Sequence, residues 1–419
     1  MTTLDGVLMP PLRRQPEFLK LWAGQTISVF GDAVTLLAMP LVAVLTLDAS
    51  AAQMGLLTAA GLAPHLLFSL FAGVWIDRRA RRRPLLVAAD LGRAALLLSV
   101  PAAAALDMLT LEQLFAVSFV VGALTVVFDV SYSSLFVLIV PTRDVVEANS
   151  KLSLSRSASW MGGPPLAGAL VELLTAPLAL LVDAVSFLVS AAFVSRIRVD
   201  ERPLEPDSNG VRRRLAEGFR FLFDHPILRA GLACSATVNF FNFAFHAIFV
   251  LYATDELGVS PGLLGAVLGA GAVGSAVGAL VAPAVQRRIG IGRAYVLGAV
   301  LFPAPLLLVP LADGPLWLIG ALLFASEFMA GVGVMVFDVA GNSLNLVLTP
   351  QRIRARSVGT HRFVNYGVRP LGALGGGFVG SAIGLRPTLW IATAGAVLGV
   401  VWLLFSPVPG VRELPAQAE

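Results

Sequence analysis

The stretch VFDVSYSSLFVLIVPTR, residues 127–143, has a second version later in the chain, VFDVAGNSLNLVLTPQR, residues 336–352. Asp129 falls on Asp338, Ser134 on Ser343, Leu135 on Leu344, Pro141 on Pro350 and Arg143 on Arg352. The offset is 209, half of the 419 residues. An apolar segment repeated with its aspartate in place predicts two copies of one structural unit, and it raises the question of what an acid does twice in such surroundings.

Hydrophobic residues make up 57% of the chain and charged residues 13%, against about 25% charged in a soluble domain. With a mean hydropathy of +0.82, the composition places the chain in a membrane. The sequence pI near 9.7 does not point to a nucleic-acid partner, because the basic residues sit in short loops between apolar runs. The opening residues, MTTLDGVLMPPLRRQPEF, have no apolar core followed by a small-residue cleavage site, so no cleaved signal peptide is expected. Cys234 is the only cysteine, which excludes an internal disulfide. The chain shows no P-loop, metal-ligand cluster or catalytic-triad pattern. It therefore reads as a non-enzyme that needs no cofactor and no metal.

A spanning helix needs roughly 20 mainly apolar residues. Twelve runs qualify, near 19–46, 52–76, 84–106, 112–138, 148–173, 177–195, 228–253, 261–285, 293–311, 316–347, 357–383 and 387–406. Strand alternation is absent, so a barrel is excluded. The expected fold is an all-α membrane protein of twelve transmembrane helices in two pseudo-symmetric six-helix halves. Residues 1–195 form the first bundle and 227–419 the second. Between them, 196–226 is a linker whose second part spaces Val211, Leu215, Phe219 and Leu222 as on one helix face, beside Arg212, Arg213 and Arg214. That pattern predicts an amphipathic helix at the membrane surface.

Arginine is concentrated in one set of loops, including DRRARRRP (77–84), QRRIGIGR (286–293) and PQRIRAR (350–356). The opposite set carries Asp48, Asp107, Glu112, Glu172, Asp255, Glu256 and Asp313. The positive-inside rule makes the first set cytoplasmic, with both termini inside and the chain in the cytoplasmic membrane. The repeat spans six helices, an even number, so both copies run in the same direction, as in transporters built from parallel repeats. QMGLLTAAG (53–61) pairs with LLGAVLGAG (263–271), and PPLAGAL (164–170) with RPLGALG (369–375).

GVWIDRRARRR (73–83) resembles the signature loop of the major facilitator superfamily, with Gly73, Asp77, Arg78, Arg81 and Arg82 in place and Ala80 where the family has glycine. FLKLWAGQTISVFGDAVTLLAMPL (18–41) and ADLGRA (89–94) resemble the branch of drug, macrolide and siderophore exporters. SWMGGPPLAG (159–168) is similar to the family's fifth-helix antiporter motif through Gly163, Pro164 and Gly168. The resemblance implies that Asp77 meets the eleventh helix and that Arg81 reaches an acid low on the fourth, here Asp129. By pseudo-symmetry Asp338 would meet Arg287, Arg288 or Arg293. On that reading the repeated aspartate is half of a cytoplasmic ionic latch.

Each charge at the bilayer centre costs at least about 2.5–3.5 kcal/mol on insertion scales, so such residues are paired, neutralised or facing water. Asp32, Glu327 and Arg369 fall near mid-span. Gln25, Ser28, Asp32 and Thr35 recur at helical spacing as one polar stripe, and Asn239, Asn242 and His246 do so on the seventh helix, with Asn242 aligned to Asp32. The resemblance puts these helices around a central cavity. Arg369 is expected to pair with Glu327, and Asp90 with Arg93 one turn on. His65 follows Pro64 in the second helix, and Asp183 on the sixth has no evident partner. The reading that results is a monomeric secondary transporter that exports an amphipathic small molecule against protons by alternating access. Uptake by proton symport, and a membrane sensor or scaffold without transport, are the alternatives.

Overall fold

The structure, a computed structural model, describes residues 12–77, 81–199, 201 and 211–413, and their side chains except those of 69–77, 211–215 and 355. Among the described residues the chain is helical throughout, without strands. The first half holds α1 (Pro16–Leu47), α2 (Ala51–Asp77), α3 (Arg82–Ala105), α4 (Leu111–Ile139), α5 (Val145–Leu173) and α6 (Ala176–Ser195). A connecting helix α7 (Val211–Asp224) leads to α8 (Pro226–Leu251), α9 (Pro261–Ile289), α10 (Ile291–Leu301), α11 (Leu308–Leu311), α12 (Leu316–Leu348), α13 (Gln351–Ile383), α14 (Leu385–Leu398) and α15 (Val401–Leu404). The ninth span is broken into α10 and α11 around Pro303 and Pro305, which cannot donate to a helical ladder.

Among the described residues, ten helices or helix pairs are long and apolar enough to cross a membrane. Of the twelve expected spans, α5 and α13 fall outside that set. They are long, at 29 and 33 residues, but too polar by composition. The reason is their position: both pack against the opposite half, and α5 meets α9 while α13 meets α2 and α8. Small residues such as Gly168 and Gly377 let the opposing backbones come close there.

The cores show how the halves meet. At the end that carries the acidic loops, one cluster draws on both halves, from Val34, Leu41 and Phe187 to Phe245, Ile248 and Leu389. At the Arg-rich end each half has its own core. Phe18, Leu86, Phe128 and Leu135 build one, and Cys234, Tyr295, Phe337 and Leu403 the other. The two bundles are thus welded at the acidic end and separate at the Arg-rich end.

The connecting helix α7 is formed where the spacing places a helix, and it rests on the second half. Glu217 pairs with Arg356, Phe219 packs edge-on against Phe363 with centroids 6.5 Å apart, and Leu222 is buried against Leu228 and Leu232. Gly218 has no side chain because a Cβ there would lie 2.7 Å from the Arg356 carbonyl. Val211 and Leu215 belong to the side chains that are not described. Upstream, the Glu201 carboxylate accepts from the backbone N–H of Arg82 and Arg83 and so caps α3.

Candidate transport pathway

At the acidic end the halves cross twice, in equivalent ways. Gly168 of α5 meets Gly265 of α9, and a Cβ on Gly168 would lie 3.1 Å from the Gly265 Cα. Gly377 of α13 meets Gly55 of α2, where the same construction gives 2.8 Å. One turn further out, Glu172 accepts from the Gly262 N–H at 2.8 Å and Ser381 from the Ala52 N–H at 2.8 Å. Each fifth helix therefore caps the second helix of the other half. This pairs Gly168 with Gly377 and Glu172 with Ser381 at the offset of 209. It agrees with the matching of 53–61 to 263–271. It corrects the matching of 164–170 to 369–375, which is one helical turn out of step because runs of small residues align equally well at several registers. Gly163 packs on Ala33, the Pro164 carbonyl faces Gly265, and Ser159 donates to the Val29 carbonyl. The antiporter-like segment thus binds α5 to α1 on one side and to α9 on the other.

At mid-depth a column of rings and amides crosses between the halves. His65 of α2 stacks on Tyr366 of α13 with centroids 5.9 Å apart. The Arg369 guanidinium lies 4.4 Å from the Tyr366 ring and 5.0 Å from Phe243, and its Nε donates to Asn239 Oδ1 at 3.1 Å. Asn239 and Ser235 both donate to Asn365 Oδ1. The expected Arg369–Glu327 pair is not formed. Arg369 reaches from α13 to α8, whereas Glu327 points from α12 toward Gly271 of α9. Glu327 is 8% exposed, and its Oε1 has no hydrogen-bond partner among the described residues.

The stripe on α1 divides. Positions 25 and 32 are seven apart and share one line on the helix, while 28 and 35 share another roughly 60° away at 100° per residue. Ser28 and Thr35 turn toward α6, where Thr35 donates to Asp183. Asp32 is exposed although protein surrounds it at mid-depth. It lies within electrostatic reach of Asp90, Arg93 and Asp129, all of its own half, and among the described residues no ion pair involves it. Asp129 is exposed as well, within electrostatic reach of Asp32, His65, Arg93 and Arg156. Asp338 lines a cleft of about 50 Å³ with Tyr295, Asn342, Asn345, Ser235 and His361. Arg81 is exposed and no Arg81–Asp129 pair occurs among the described residues. Arg78 lies outside the described residues, as do the side chains of Gly73 and Asp77. On α8, His246 sits edge-on to Phe245 and Phe249, and the buried Asn242 Oδ1 has no partner.

Asp90 and Arg93 form the expected pair, buried at 0% and 1% side-chain exposure. The guanidinium lies between the rings of Phe187 and Phe128, 4.0 and 4.4 Å from their centroids. Sequence reasoning missed Asn365, Tyr366 and the Glu172 and Ser381 caps. Spacing gives a signal for the first two, since Asn365, Tyr366 and Arg369 share one side of a helix.

A family model described as Major Facilitator Superfamily matches residues 21–325 and 232–419. The multidrug efflux pump Tap of Mycolicibacterium fortuitum is 28% identical over 418 residues, covering 97% of this chain and 98% of the pump. Among solved structures, a bacterial homologue of the iron transporter ferroportin in an inward-facing state has a TM-score of 0.75 at 17% identity, covering 94% of this chain and 99% of that one. A ferroportin homologue in an outward-facing state scores 0.57 at 18% identity, with 93% and 98% covered.

Proposed function

The chain belongs to the Major Facilitator Superfamily, and from that premise we propose that it is a proton-coupled exporter of an amphipathic, drug- or siderophore-like molecule. The observation that carries the coupling is Asp32, an exposed acid within a membrane-spanning helix that is in no ion pair among the described residues. Such a group can take a proton from one side and give it to the other as the halves rock. The name of the similar pump Tap supports export. The Arg-rich end is cytoplasmic by the positive-inside rule, as are both termini, and the membrane is the cytoplasmic one. The end at which the two halves keep separate cores then faces the cytoplasm, the loading side of an exporter. The rocking bodies are 1–195 and 227–419, joined by 196–226, in a monomer. In the opposite state the cytoplasmic ends close and bring the Asp129 side of α4 toward Arg81. That latch is open here, in keeping with an exposed Arg81.

A thermal-shift screen of the purified protein against antibiotics, siderophores and lipids selects a ligand. In inverted vesicles an inside-acid gradient is then expected to drive accumulation of that ligand, and Asp32→Asn to abolish accumulation while leaving binding in place. Glu327 is the rival acid. Uphill transport that survives Asp32→Asn but not Glu327→Gln assigns the coupling to α12 instead.

A further inference from the structure

Asp183 on α6 is 1% exposed and has no part in the cycle described above. Thr35 Oγ1 donates to its Oδ2 at 2.5 Å, and Ser186 Oγ to its Oδ1 at 2.9 Å. Gly31, one turn before Thr35, leaves the room for it, because a Cβ there would stand against Asp183 Oδ1 and Ser186 Oγ. The face of α1 is therefore shaped to admit a carboxyl group where an apolar side chain would pack at less cost. Both donors are hydroxyls. A hydroxyl donates to a carboxylate and accepts from a carboxylic acid, so it serves either protonation state, whereas an arginine would hold the group ionised.

Asp32 is the residue next to Gly31, whose missing Cβ would stand against Asp183 Oδ1, so the two acids are neighbours across the contact of α1 with α6. The charged groups that face Asp32 are Asp90 and Arg93 from α3 and Asp129 from α4, and of these Arg93 also reaches Asp183. Among the described residues, Arg93 is the one cation in electrostatic reach of both, and it is ion-paired to Asp90 between two phenylalanine rings. The cluster thus sets four carboxyl groups around one guanidinium. Two neighbouring carboxyls in a poorly solvated site do not both ionise; they titrate as a unit that keeps one proton between them. At the equivalent place in the second half, Asn242 and Ala392 stand where Asp32 and Asp183 do, so the unit belongs to the first half alone.

We infer that Asp32 and Asp183 form a single proton-binding unit, in which Asp183 is a second proton-holding residue set behind the exposed one. Its role in transport rests on the reading of Asp32 given above, but its proton chemistry is measurable without substrate or gradient. The test uses the full chain in lipid vesicles and the infrared C=O band of protonated carboxyl groups, followed as buffer pH is changed. In Asp183→Asn, the remaining Asp32 band is expected to titrate at a proton concentration displaced by about tenfold or more. In Thr35→Val, which keeps both carboxyls, the Asp183 band is expected to change frequency and the pair to stay coupled. An Asp32 band that titrates at an unchanged pH in Asp183→Asn overturns the proposal, even if Asp32→Asn abolishes uphill transport. Displaced titration together with intact pumping by Asp32→Asn supports the pair and sinks the transport reading instead. Should Asp183→Asn fail to fold, Asp32→Asn serves in its place: an Asp183 band unmoved in pH by that change overturns the unit equally.

Discussion

The two halves share their mechanics and differ in their chemistry. Each uses a fifth-helix glycine to cross a second-helix glycine of its partner, and each caps that helix from one turn further out. Their interiors are unlike. The first half buries the Asp90–Arg93 pair and Asp183 with Asp32 beside them. The second holds Arg369 with an amide and two rings, and leaves Glu327 alone. A rocking device needs matched hinges on both sides of its axis. Ion coupling needs an acid in one place only, so duplication leaves the second copy free to lose it.

The largest expected effect tests the difference in buried charge. Arg93→Met leaves Asp90 buried without its partner, which costs about 3–5 kcal/mol. Arg369→Met removes a bond to a neutral amide and two ring contacts, for about 1–2 kcal/mol. Heat unfolding of the purified variants should therefore fall much further for Arg93→Met. Equal losses, or a larger loss at Arg369, would break the contrast between the halves.

The glycine crossings test the likeness. Valine at either Gly168 or Gly377 overpacks a backbone contact and should weaken the closed acidic end by about 1–3 kcal/mol. Spin labels at Leu173→Cys and Glu256→Cys, in a Cys234→Ala background, should report a longer distance for both variants by similar fractions. A response from Gly168→Val alone would show that the crossings are not equivalent.

The caps give the smallest effect and the finest distinction. Glu172→Gln removes a charge from a helix N-terminus, worth about 0.3–1 kcal/mol and screened by salt. Ser381→Ala removes a neutral acceptor of similar size. The same label pair should show a salt-dependent shift for Glu172→Gln and a salt-independent one for Ser381→Ala.

Much of this was legible in the sequence. Apolar runs gave nearly every helix, because in a bilayer the backbone must satisfy itself and only long helices do so here. The repeat of 127–143 and 336–352 and the pairing of Gly55 with Gly265 carried the pseudo-symmetry. What was not legible depends on which neighbour a side chain faces. Arg369 and Glu327 share a depth but point to different helices, so matching them by depth failed. Asp183 was visible only as an anomaly until Gly31 and Thr35 were seen to make room for it and bond to it. Composition left α5 and α13 out of the clear spans because both carry small and polar side chains along helices that cross the other half, several of them exposed.

The central claim is that the halves rock about a site between them, so that one end closes as the other opens. It is tested most directly by measuring both ends at once, in lipid vesicles, by electron spin resonance distances. Labels at Val146→Cys and Leu280→Cys, both exposed toward the Arg-rich end, report the inner opening, and Leu173→Cys with Glu256→Cys the outer one. The account predicts two populations at each end, with long inner distances matched in proportion to short outer ones as buffer pH is varied. A single unchanging distance at each end, or inner and outer distances that lengthen together, would contradict it.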